Sequence, residues 1–179
     1  MRARPGRDAA MAGRPWQIVA AVVGAIIGIV AVRYLGLNAV IPALSVAACW
    51  WAFTRLGVHR RLVLPLAFTG GHGVWFLIGV VMTLAIGGGV HAVIEVGVET
   101  LVVAAIVAWV YASRSSPSLL VLIAYEVVSI VINAVTFTEV DGALQAVIAV
   151  HVGLRLVAIV GAVVALAHRA EFASASGPS

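Results

Sequence analysis

LVLPLAFTGGHGVWFLIGVVMTLAI, residues 62–86, runs for 25 positions without an Asp, Glu, Lys or Arg. A helix that rises ~1.5 Å per residue covers more than a ~30 Å hydrocarbon layer over that length. The stretch ends at Gly87-Gly88-Gly89, a tight turn, and another apolar run follows at once. Working outward gives apolar runs at about 16–34, 39–54, 91–112, 119–137 and 143–167. The expectation is an all-α, polytopic membrane protein: a bundle of six transmembrane helices over 16–168, between a basic tail at 1–15 and a flexible tail at 169–179. Met11 is an alternative start to Met1.

Composition supports the same class. Of 179 residues, 63% are hydrophobic and 10% charged, whereas a soluble domain carries ~25% charged residues to face water. The pI near 10.2 would suggest nucleic acid in a soluble chain, but the arginines sit where loops belong, so no nucleic-acid partner is expected. Cys49 is the sole cysteine, so no intrachain disulfide forms. The eleven basic residues are all arginine, and with the abundant Ala, Val and Gly this composition suggests a bacterial, GC-rich source.

Arginine placement orients the bundle. With six spans, Arg2, Arg4, Arg7, Arg14, Arg55, Arg60, Arg61, Arg114 and Arg169 share one side, together with Trp16, Trp50, Trp51, Trp109 and Tyr111. The other side has Arg33, Glu139 and Asp141. The positive-inside rule and the aromatic belt then place both termini in the cytoplasm, in a bacterial inner membrane. In the first span, Gly24 and Gly28 form a Gly-xxx-Gly step through which the chain can pair with a second copy.

The first two spans are apolar through their middles, and the last four carry polar stripes at helical spacing. Thr69, His72, Phe76 and Thr83 share one face of the third span, with Gly70, Gly71 and Gly73 removing bulk around the histidine. His91, Glu95 and Glu99 follow at i, i+4 and i+8 on the fourth span; Tyr125, Glu126, Ser129 and Asn133 share an arc of the fifth; His151 and Arg155 lie one turn apart on the sixth. Glu99 and His151 come out ~12 Å below the outer surface, with His72 and Arg155 near the midplane.

An ionised side chain at that depth costs ~2.5–3.5 kcal/mol on insertion scales. Three glutamates against Arg155 therefore call for protons, a cation or water. The expected function is a transporter or channel for a proton, cation or small polar solute. Glu95, Glu99, His72 and His151 would bind the ion or proton, and Glu126, Arg155, Asn133 and Tyr125 would support or gate. No cofactor is expected. His72, Glu95, Glu99 and His151 are ligand types that suit a metal ion, without a signature spacing. Two other readings fit the same residues: an accessory protein whose buried charges serve packing, and a membrane-embedded His/Glu metalloenzyme. Serine-nucleophile, phosphate-cradling and Walker motifs are absent from the sequence.

Overall fold

The computed structural model describes residues 37–87, 89–140 and 142–170. The expected first span at 16–34, with Gly24, Gly28 and Arg33, lies outside them, as do the basic tail, residues 171–179 of the flexible tail, Gly88 and Asp141. Within the described residues the protein is all-helical, with α1 (Leu37–Arg55), α2 (Arg60–Ala85), α3 (Val90–Ser113), α4 (Ser116–Phe137) and α5 (Ala143–Ala167). They follow the second to sixth apolar runs. The last four are long and apolar enough to cross a membrane, and α1 is a shorter apolar helix.

Local chemistry sets the helix ends. The imidazole of His59 accepts from the Arg61 amide at 3.3 Å and caps the start of α2. The Ser115 hydroxyl accepts from the Ser118 amide at the start of α4, where Pro117 supplies a fixed φ without needing a hydrogen-bond partner. After α2 the chain turns through Gly87 at φ +72°, a left-handed conformation that a Cβ would disfavour. All four connections are short, so consecutive helices run antiparallel.

Arg55, Arg60, Arg61, Arg114 and Arg169 consequently gather at one end of the bundle, the arginine end. Arg169 donates to Ser116 there and ties the end of α5 to the start of α4. Trp51 lies under the Arg55 guanidinium, 5.6 Å from ring centroid to carbon.

Helix α2 is the hub. It packs against α1, α3 and α5, and α4 packs mainly on α5. The glycines around His72 explain how one helix serves three neighbours. A Cβ at Gly71 would fall 2.7 Å from the backbone of Val46 on α1, and one at Gly73 would fall 2.7 Å from Val103 on α3. Only glycine admits these approaches, which free the intervening face of α2 to meet α5.

The apolar core occupies the arginine end. Leu62, Leu66, Val110, Leu119, Leu122, Ala162 and Ala165 are fully buried there, drawn from α2, α3, α4 and α5. α3 and α4 share few contacts, and space lined by Val102, Ile132 and Val147 lies between them away from the arginine end.

Candidate functional site

The polar stripes of α2 to α5 converge between the leucine layer and that gap. At the centre is Arg155 of α5, whose side chain is 2% exposed. Its Nη1 donates to Glu126 Oε2 at 2.8 Å and its Nη2 to Glu99 Oε1 at 2.9 Å. The three ions thus come from three helices. Glu126 is 1% exposed, and its other oxygen accepts from the Thr69 hydroxyl of α2 at 2.6 Å. The Tyr125 hydroxyl donates to Glu99 at 3.2 Å, and its ring lies 5.2 Å from the guanidinium carbon. Every oxygen of the buried Glu126 carboxylate is therefore engaged, the condition on which a buried ion pair persists. Nε of Arg155 is the one buried side-chain nitrogen or oxygen without a partner among the described residues.

One turn before Arg155, His151 meets His72 of α2. Nε2 of His72 and Nδ1 of His151 are in direct hydrogen-bond contact. Trp75 stacks on the His151 ring at a centroid distance of 4.0 Å, and Phe76 stands 5.4 Å away. His72, Trp75 and Phe76 recur at i, i+3 and i+4, so one face of α2 supplies both the imidazole and its aromatic walls.

A cavity of about 430 Å³ opens beside this cluster, between α3, α4 and α5. Glu99, Tyr125, Ser129, Asn133, His151 and Arg155 form its polar lining, against apolar walls that include Val102 and Ile148. Glu99 is 38% exposed and marks the boundary between cavity and buried network. A second groove, on the α1 and α3 side of α2, is lined by residues such as Phe53, Val103 and Tyr111 and carries no Asp, Glu, His or Arg. The polar cavity is the candidate site.

No protein-family model, curated protein or solved structure matches the chain.

Seven of the eight residues expected to form the site converge: His72, Glu99, Tyr125, Glu126, Asn133, His151 and Arg155 belong to the network or line the cavity. Glu95 stands apart. Its side chain is 67% exposed and pairs with His91 at 3.1 Å, one turn toward the helix start. The expectation that Glu95 joins Glu99 in binding an ion or proton rests on their i, i+4 spacing. In the fold Glu99 turns instead to Arg155 and Tyr125. Among the described residues, no three His, Cys, Asp or Glu side chains are grouped to hold a metal ion.

Thr69 and Trp75 were not among the expected site residues. Thr69 lies on the same α2 stripe as His72, so its spacing carried the signal. Trp75 follows His72 by three positions but reads equally well as lipid-facing.

Proposed function

We propose that this protein is a small membrane transporter or channel for a proton, cation or small polar solute, acting through the polar core of α2 to α5. The observation that carries the reading is the juxtaposition of an ion-lined cavity and a fully buried leucine layer next to it. From the cavity, the chain of polar groups runs through Glu99, Arg155 and Glu126 to Thr69. Beyond it lies the layer of Leu62, Leu66, Leu119 and Leu122. A polar pathway that is closed at one end by apolar side chains is an expected resting form of a gated conduit. Ionisable groups are costly in a bilayer, and those facing a bundle interior commonly mark a pathway.

The arginine end faces the cytoplasm in this proposal, by the positive-inside rule, and the membrane is a bacterial inner membrane. The cavity then opens outward. Glu99 binds the incoming charge, His151 and His72 pass it on, and Arg155 with Glu126 braces the helices.

The test is flux in proteoliposomes under an imposed ion or proton gradient. Glu99→Gln keeps the shape of the side chain, removes its charge and weakens a charge-assisted hydrogen bond worth ~1.5–3 kcal/mol. The expected result is a fall in flux of about tenfold or more, at ~1.4 kcal/mol per tenfold. Glu95→Gln, outside the cluster, is expected to leave flux within about twofold of wild type, as for a surface change worth less than ~0.5 kcal/mol. Equal behaviour of the two variants would count against the proposed site. The engaged Glu126–Arg155 pair favours a second reading, an accessory protein whose buried charges fix helix packing. That reading predicts no flux from the wild type.

A further inference from the structure

Resting on that reading, we propose that the charge handled at this site is a single proton, held by the facing imidazoles of His72 and His151. Two carboxylates and one guanidinium leave the Glu99–Arg155–Glu126 triad with one net negative charge. An uncompensated charge beside the buried Glu126–Arg155 pair is unfavourable. One added positive charge brings the cluster to neutrality, and a divalent cation overshoots it.

The imidazole pair is built to take that charge. Nε2 of His72 faces Nδ1 of His151, and one hydrogen lies between them. The outer nitrogens are Nδ1 of His72 and Nε2 of His151. With both rings neutral, one outer nitrogen carries a hydrogen and the other is bare, since each ring holds one hydrogen in all.

His151 lines the cavity. In the tautomer that leaves Nε2 of His151 bare, a proton arriving there forms an N–H bond at that nitrogen. The shared hydrogen then leaves Nδ1 of His151 for Nε2 of His72. The pair has gained one proton and one positive charge, which either ring can carry. Trp75 and Phe76 at 4.0 and 5.4 Å from the His151 ring offer their π faces to the cation.

The titratable and charged groups on the helices packed around the pair are Glu99 on α3, Tyr125 and Glu126 on α4, and Arg155 on α5, with Cys49 of α1 beside Gly70; the first three contact Arg155, one turn along α5 from His151. Arg155 is bonded to both carboxylates.

The experiment is solid-state NMR of the full chain with ¹⁵N-labelled histidine in lipid bilayers, between pH ~8 and ~5, where histidine ordinarily changes charge. The expected result is uptake of one proton by the pair in a single step, lost in both His72→Asn and His151→Asn. Glu99→Gln neutralises the triad and is expected to lower the ratio of protonated to neutral pair at pH ~6 at least about tenfold, as for loss of a nearby opposite charge. Ring resonances of the pair that do not change with pH would overturn the proposal, as would independent titration of one histidine after loss of the other. If the histidine variants do not fold, Glu99→Gln decides alone, and an unchanged protonated fraction overturns it. Proton uptake by the pair in a protein that shows no flux would end the transport reading and leave this one standing. Flux without histidine protonation would do the reverse.

Discussion

Replacing Arg155 by Met is expected to destabilise the protein by about 3–5 kcal/mol, the range for breaking a buried ion pair from one side. Met keeps much of the length of the arginine stem and removes the guanidinium. Glu126, at 1% exposure, would retain only the Thr69 hydroxyl, and Glu99 would retain only Tyr125. Two carboxylates would then face each other across the helix interface without a cation. Glu126→Gln should cost less, because Arg155 keeps Glu99 and the remaining pair is neutral. The double variant Arg155→Met/Glu126→Gln is expected to recover part of the loss, which makes the coupling measurable as a cycle. Reversible unfolding in detergent reads all three. An Arg155→Met protein as stable as wild type would show that the triad does not hold α3, α4 and α5 together.

Leu122→Ala is the second large effect. Leu122 is fully buried with Leu62, Leu66 and Leu119 and lies one turn before Glu126 on α4. In lipid, helix association rests on packing contacts more than on the hydrophobic effect. The cavity left by truncation still forfeits those contacts, at about 2–5 kcal/mol for a buried leucine. The same cavity thins the dry layer between the arginine end and the Glu126–Thr69 pair. Raised proton or ion leak through Leu122→Ala proteoliposomes is therefore expected, together with lowered stability. A variant that loses stability without gaining leak would argue that the layer is core and not a barrier.

Much of this arrangement was legible in the sequence, because lipid imposes strict rules. The run from Leu62 to Ile86 had to be helical, since backbone groups in a bilayer must satisfy one another within the segment. The stripe of Thr69, His72 and Phe76 carried α2's inward face in its spacing, and His151 with Arg155 did so for α5.

What spacing could not give was rotation about each helix axis relative to its neighbours. Glu95 and Glu99 share a face of α3, yet Glu95 stays exposed with His91 while Glu99, one turn on, reaches Arg155. The glycines at 71 and 73 invited a ligand or a backbone, and the fold fills those places with Val46 and Val103. The leucine layer was invisible for the opposite reason: in a chain this apolar, Leu62, Leu66, Leu119 and Leu122 look like any lipid-facing residues.

The central claim is a polar cavity inside the membrane that is reached from one side and sealed at the other. Cysteine accessibility tests it most directly, because Cys49 is the sole native cysteine and Cys49→Ser gives a clean background. Asn133 lines the cavity, and Ala162 lies fully buried in the apolar core at the arginine end. In oriented vesicles, Asn133→Cys is predicted to react with a membrane-impermeant thiol reagent added on the face opposite the arginine end. Ala162→Cys is predicted to stay protected from both faces. Reaction of Ala162→Cys from either side at the rate of Asn133→Cys, or an Asn133→Cys that is silent from both, would contradict the account.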